Sequence, residues 1–284
     1  MELPPIRPGR PAPQTLIDQR ARSVANRLAD TVHPDVTVAQ EEVGGVSCVV
    51  CRPAAPRGAI VYLHGGGFRT SSAVAYGPFC SHLAAWTRAT VVAVEFRLAP
   101  EHPFPAGLTD ARDVYAAVAG QGAGPMLAGD SAGGGLAAST TVLALRGGKL
   151  PPPVGLLLIS SLLDLRLTAA SMRSRAETDK IFSAAQAAEA AEFYLQGAPA
   201  DDPLVSPVLA DLTGFPPTLM MVGTEEILLD DNLALARGLA HVGAQADVHI
   251  SPKSQHIWFT RGSTAYPAEA LIISRFADRV WPDA

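Results

Sequence analysis

The order of elements in this 284-residue chain predicts an α/β fold, a mostly parallel, doubly wound sheet of eight strands flanked by helices. Two observations carry this prediction. Strand-like and helix-like segments alternate from Val36 to the C-terminus, and several strands are apolar without interruption, as parallel strands covered on both faces require. The Pro-rich opening is expected to be loose up to about Pro13. A helical pattern then runs from Ala12 to Val32, with Leu16, Ile17, Val24, Leu28 and Val32 near one face. The expected strands are Val36–Ala39, Val46–Arg52, Gly58–Leu63, Thr90–Phe96, Pro125–Ala128, Val154–Ile159, Pro217–Val222 and Ala246–Ile250. The expected helices between and after them are Ala73–Arg88, Gly107–Ala119, Ser131–Arg146, Asp230–Val242 and Pro267–Val280. One connection breaks the alternation. Nearly sixty residues separate the strands at 154–159 and 217–222, and they include an Ala-rich helical stretch from Ser183 to Leu195. A connection of that length usually carries function, such as a lid.

Composition narrows the function classes. Apolar residues make up 48% of the chain and charged residues 17%, which excludes a generally disordered chain. The net charge of −5 provides no basic footprint for nucleic acid. The longest apolar runs, such as Val154–Ile159, are too short to span a bilayer, so no membrane partner is expected. The first ten residues contain no apolar run of the kind a secretory signal needs, and the expected location is cytoplasmic. Three cysteines cannot build a disulfide framework. Cys48 and Cys51 have CxxC spacing but sit in a strand, where residues three apart face opposite sides. Two small core residues are expected there, not a redox pair or a zinc site.

The segment Gly129-Asp130-Ser131-Ala132-Gly133 follows a strand and opens a helix. G-x-S-x-G in that context predicts a nucleophile elbow. The tight turn strains the serine backbone and lifts Oγ above the sheet. Residues two before and two after must be small, because side chains there would meet neighbouring backbone. The helix N-terminus favours developing negative charge. A second segment, His64-Gly65-Gly66-Gly67-Phe68, follows the strand at 58–63. Consecutive glycines present backbone N–H groups to a ligand, as a tetrahedral oxyanion requires. A phosphate cradle would need a Gly-Lys-Ser/Thr ending, which Phe68-Arg69-Thr70 does not supply. The stretch Gly120–Gly124 precedes a strand and reads as an ordinary helix-to-strand loop.

Together, His64–Phe68 and Gly129–Gly134 resemble the bacterial hormone-sensitive-lipase-like (family IV) esterases of the α/β-hydrolase superfamily. Phe96-Arg-Leu-Ala-Pro-Glu-His-Pro-Phe-Pro-Ala106 is similar to the family's segment after the fourth strand, and Asp202–Leu212 to the end of its cap insert. Glu226–Asp230 and Gln255-His256 sit where the family's acid and histidine belong, and the match runs from about residue 12 to the C-terminus. The resemblance implies one α/β-hydrolase domain over 1–284, with a helical cap from about 1–35 and about 165–205. It implies no metal and no cofactor. It implies a small-molecule ester as partner, short acyl chains, and a homodimer, since the family often forms dimers.

Of seven histidines, His256 alone follows the last strand on a polar loop, where this fold places its general base. The acid should follow the strand at 217–222. Glu226 ranks first, Asp230 second and Glu225 third. The family usually carries Asp at the position of Glu226. Asp230 and Asp231 are expected to cap the next helix. Glu95 likewise replaces the family's usual Asp, which changes the hydrogen bonding expected there. By resemblance, the backbone N–H groups of Gly66, Gly67 and Ala132 form the oxyanion hole and His64 braces its loop. Spacing alone does not choose among Gly65, Gly66 and Gly67. Phe68 and Trp258 are expected to contact substrate.

The expected activity is hydrolysis of small, short-acyl carboxylic esters through Ser131, His256 and Glu226 and an acyl-enzyme. The alternative is the same triad acting in amide deacetylation, lactone opening or acyl transfer. Some plant hormone receptors share this fold as binding modules after losing the histidine, whereas Ser131 and His256 are both present here.

Overall fold

The computed structural model describes residues 2–120 and 124–282. One sheet holds eight strands: β1 (Val36–Val43), β2 (Val46–Pro53), β3 (Ala59–Leu63), β4 (Thr90–Val94), β5 (Met126–Asp130), β6 (Leu156–Ile159), β7 (Thr218–Gly223) and β8 (Ala246–Ser251). Their spatial order is β1-β2-β4-β3-β5-β6-β7-β8. β2 runs antiparallel to both β1 and β4, and the pairs from β4 through β8 are parallel. The parallel strands β3 to β7 are buried along nearly their whole length, which is why they read as largely apolar runs, whereas β8 at the sheet edge is half-exposed.

Two cores cover the sheet. One packs α3 (Ala106–Ala119), α4 (Ala132–Gly147), α7 (Leu229–His241) and the Ala-rich α6 (Ala184–Leu195) on one face. The other packs α2 (Ala73–Thr87) and α8 (Pro267–Val280) on the opposite face. Cys48 belongs to the first core and Cys51 to the second, as strand alternation requires. Burial pushes both thiols up to about 12, which makes them packing residues.

Differences from the expected boundaries have local causes. β1 extends to Val43, because the polar run Gln40–Glu42 pairs with Ser47–Val49 in a hairpin that an apolar criterion stops short of. β4 ends at Val94. The Glu95 N–H still donates to the Ser47 carbonyl (3.0 Å), while its carboxylate turns away to accept the Ala73 N–H at 2.7 Å. α1 spans only Gln14–Arg27, and its buried residues are Leu16 and Arg27. Of the expected apolar face, Leu16 is buried and Val24 half-buried, while Ile17, Leu28 and Val32 are exposed. The opening segment has no regular structure, yet it is tied down. Gly9 N–H donates to the Glu101 carbonyl (3.1 Å), and Arg10 pairs with Glu192 (2.6 Å). A short helix, α5 (Ser171–Ser174), also lies in the long connection. Residues 121–123 of the loop expected at Gly120–Gly124 lie outside the described residues. Among the described residues, no helix is long and apolar enough to cross a membrane.

Register assembles the site. Leu63 at the end of β3 pairs with Gly129 near the end of β5, and Gly129 pairs with Leu158. Gly223 at the end of β7 pairs with Ser251 at the end of β8. The glycine loop, the elbow, the acid loop and the histidine loop therefore leave the same edge of the sheet. In open α/β sheets, that edge is where ligands bind.

Candidate active site

Ser131 joins β5 to α4 with φ 52° and ψ −123°, a strained conformation for a residue with a side chain. Its N–H donates to the Ile159 carbonyl (2.9 Å), and its own carbonyl accepts from Leu162 N–H (3.0 Å). The flanking glycines are obligatory. A Cβ at Gly129 would collide with the Gly133 carbonyl, and one at Gly133 with the Leu63 carbonyl.

His256 lies on the loop after β8, and its Nε2 is 3.0 Å from Ser131 Oγ. Its Nδ1 is 2.9 Å from Glu226 Oε2. Ser131, His256 and Glu226 are all buried, Glu226 completely. Since a carboxylate accepts, the proton sits on Nδ1, and Nε2 is left to accept from the Ser131 hydroxyl. Of the three acid candidates, the structure brings only Glu226 to the histidine. Glu225 is half-buried in the same loop, with its N–H donating to the Ser254 carbonyl (3.2 Å). Asp230 Oδ2 accepts the Ser171 N–H (2.7 Å), and Asp231 Oδ2 accepts from Leu163 and Asp164 (3.0 and 3.1 Å). Neither aspartate caps its own helix, which corrects that expectation. Both lie in the first turn of α7 and hold other segments, while Ser171 Oγ accepts the Asp230 N–H (3.1 Å).

Three residues outside the sequence motifs complete this assembly. Ser160 Oγ donates to Glu226 Oε1 (2.8 Å) and accepts the Ile257 N–H (3.0 Å), coupling the acid to the histidine loop. Asp179 accepts from Ile181 and Phe182 through Oδ1 and from Ile227 through Oδ2, and so ties the long connection to the acid loop. Tyr76, on α2, donates to Asp130 Oδ2. No motif contains these residues. A serine after a strand and an aspartate in a loop carry no distinguishing pattern.

The glycine loop is braced chiefly by Asp130. Its Oδ1 accepts from Gly65 N–H (2.9 Å) and from Tyr62 Oη (2.6 Å). His64 also contributes. It stacks on Phe96 (centroids 4.3 Å apart), and its Nδ1 donates to the Gly65 carbonyl (2.8 Å). Burial lowers the His64 pKa to about 4, so the ring is neutral near pH 7. Burial, and then the Asp130 charge, push the Tyr62 hydroxyl well above its ordinary range. Burial does the same at Tyr76. Gly66 and Gly67 adopt φ of 121° and 61°, and the Gly66 carbonyl accepts from Arg69 and Thr70 N–H.

Ser131 opens into a cleft of about 220 Å³ walled by Gly65–Gly67, by Ser23 and Arg27 of α1, and by Ile181 and Phe182. Phe182 stacks on the His256 ring (5.2 Å, 20°). Phe68 does not line this cleft. Its ring is buried and stacked on Tyr194 of α6 at 4.0 Å. Trp258 does not line it either, and belongs to a larger adjoining cavity of about 530 Å³.

Comparison with known proteins agrees with the fold. A family model described by an alpha/beta hydrolase fold matches residues 60–260. An acetyl-hydrolase of Streptomyces hygroscopicus is 36% identical over 256 residues, covering 89% of this chain and 84% of that protein. An esterase of Acinetobacter venetianus is 38% identical over 197 residues, covering 67% and 63%. The crystal structure of a hormone-sensitive lipase from a metagenome library superposes with a TM-score of 0.88 at 31% identity, covering 95% of this chain and 93% of that one.

Proposed function

Because this chain belongs to the alpha/beta-hydrolase fold family and is a hormone-sensitive-lipase-like esterase, we propose that it cleaves small, short-acyl carboxylic esters through Ser131, His256 and Glu226. The observation that carries the reading is the unbroken relay from Ser131 Oγ to His256 Nε2 (3.0 Å) and from His256 Nδ1 to Glu226 Oε2 (2.9 Å).

His256 Nε2 takes the hydroxyl proton as Ser131 Oγ attacks the ester carbonyl carbon, and Glu226 stabilises the resulting imidazolium. The carbonyl oxygen becomes an oxyanion held by N–H groups of Gly66, Gly67 and Ala132. Gly66 and Gly67 line the cleft with Ser131, and Ala132 is the first residue of α4, whose N–H has no partner within its own helix. Collapse of the intermediate expels the alcohol, which receives its proton from His256. Water, activated by the same imidazole, then hydrolyses the acyl-enzyme.

Residues 1–35 and 165–205 act as the cap. Gln19, Ser23 and Arg27 reach the cleft from α1, and Ile181, Phe182 and Gln186 reach it from the long connection. Met172 and Tyr194, by contrast, are buried and anchor the connection to the core. Phe68 serves the cap by supporting Tyr194 from below.

Ser131→Ala tests the reading. Its turnover of p-nitrophenyl acetate should fall by about 10⁶-fold while the fold is retained. Wild-type turnover in that variant overturns it. Acetylated amides and lactones in the same assay distinguish ester hydrolysis from the other uses of the triad.

A further inference from the structure

We propose that the natural leaving alcohol carries an anionic group, a carboxylate or a phosphate, bound by Arg27, Arg261 and Lys253 in the cavity beside His256. This rests on the ester-hydrolase reading above.

The adjoining cavity of about 530 Å³ shares Arg27, Ile181 and His256 with the cleft that Ser131 opens into, so the two spaces meet at the histidine. Its position assigns its occupant. His256 must hand a proton to the departing alkoxide, so the alcohol lies on the histidine side of Ser131 and the carbonyl oxygen on the glycine side. The cavity is walled by the loop that carries His256, together with Trp258 and Tyr266, and is therefore the space the alcohol enters.

The charge of that wall is one-sided. Arg27, Lys253 and Arg261 line it, and no Asp or Glu among the described residues does, although the chain as a whole carries −5. Glu269 is bonded to Trp258 Nε1 (2.9 Å) and does not reach the wall. Arg27 is the decisive residue. It is 7% exposed, a guanidinium held almost entirely out of solvent. It donates to Tyr76 Oη (2.7 Å) and to the Thr260 carbonyl and hydroxyl (3.3 Å each), and it sits 3.7 Å from the Tyr76 ring centroid. It has no direct carboxylate partner among the described residues. Asp130 is one hydroxyl away, through Tyr76, and already accepts from Tyr62, Tyr76 and Gly65. These bonds use three of its five N–H donors, and Arg27 lines the cavity, where a charge-assisted bond to an anion is open to it. Arg261 and Lys253 are exposed at the rim, where they draw an anion inward.

The test compares three aryl acetates: 3-acetoxybenzoate, 3-acetoxyphenyl phosphate and the neutral 3-acetoxybenzamide. Rates are corrected for uncatalysed hydrolysis, and phenyl acetate serves as a control. The wild type should favour at least one anionic ester over the amide by about tenfold or more in kcat/KM, and added salt should erode that preference. Whether the carboxylate or the phosphate is favoured identifies the group. Arg27→Gln should abolish the preference. If that variant does not fold, Arg261→Gln and Lys253→Gln should each lower the ratio severalfold. Equal kcat/KM for anionic and neutral esters overturns the inference alone. Folded protein that turns over no ester, phenyl acetate included, overturns the hydrolase reading and the inference with it.

Discussion

The floor of the cleft and its cover are held by different forces. On the floor, Ser131, Asp130, Glu226 and His256 are buried, and each is fixed by hydrogen bonds to groups on neighbouring strand ends. The cover is held in two ways: the long connection packs apolar side chains such as Met172 and Tyr194 into the core, whereas α1 is held largely by cations on polar partners. Arg20 donates to both oxygens of Glu101 (2.7 Å each), to the Arg69 carbonyl (2.7 Å) and to the Ala99 carbonyl (2.9 Å), while Arg69 pairs with Glu189 (2.9 Å). α1 buries only Leu16 and Arg27. Buried networks tolerate no loss of a member, whereas part-exposed pairs can exchange with water at small cost. The floor is thus built to hold one geometry, whereas the α1 side of the cover is tied by bonds that can exchange with water.

After Ser131 itself, the sharpest break should come at Glu226. Its Oε1 accepts from Ser160 Oγ and Gly223 N–H, and its Oε2 faces His256 Nδ1. All three partners donate, so the amide of Glu226→Gln sets N–H against N–H whichever way it turns. The kcat should fall by about 10⁴-fold, as when a triad acid loses its ability to hold the tautomer. Melting temperature should also drop, because a buried donor is left unsatisfied. Loss of activity below tenfold would separate the acid role from Glu226.

Removing the N-terminal part of the cover should cost less. A chain starting at Thr37 loses the Arg20 bonds to the Arg69 and Ala99 carbonyls beside the glycine loop, and kcat/KM should fall by about 10²-fold, the scale of a small misplacement of reacting groups. Unchanged kinetics in a soluble truncation would refute the cap.

A third comparison uses pH. The folded-state pKa of His64 lies near 4, below the 6.5 of an unfolded histidine. The unfolded chain therefore binds the extra proton first. The neutral form's contribution, about 3 kcal/mol, is fully present above pH 6.5 and is lost as pH falls toward 4. Asp231 acts in the opposite sense. Burial raises its carboxyl to about 7, so it adds stability as pH falls through the same range. The stability difference between wild type and His64→Phe, followed from pH 7 to 4, isolates the histidine. A flat difference would show that His64 is not held neutral. The smallest effect belongs to Asp230→Asn, which perturbs one bond to Ser171 N–H. It should cost about 1 kcal/mol or less and keep most activity. A collapse in kcat there would return Asp230 to candidacy as the acid.

The same contrast decides what could be read from the sequence. The floor was legible because its constraints are local. Gly129 and Gly133 are small because backbone lies against them, and the helix begins one residue after Ser131. Glu226 and His256 were legible through chain order, each in the loop after its strand. The cover was legible only as an overlong connection. Ser160, Asp179 and Arg27 each reach a partner 48 to 233 residues away, and no periodicity encodes such pairs. Phe68 shows the limit of a motif, since its place after the glycines suggested substrate contact and its ring instead supports Tyr194. In α1, the apolar stripe pointed to Leu16, Ile17, Val24, Leu28 and Val32 as packed residues, whereas the helix buries only Leu16 of these, together with Arg27.

The most direct measurement is the mass of the folded protein after exposure to a fluorophosphonate, followed by peptide mapping. A relay in which His256 accepts the Ser131 proton makes that hydroxyl the single activated nucleophile, so one adduct should form, on the peptide containing Gly129–Gly133. Labelling should disappear in Ser131→Ala. Native protein that stays unmodified, or carries its adduct on another residue, would contradict the proposed triad.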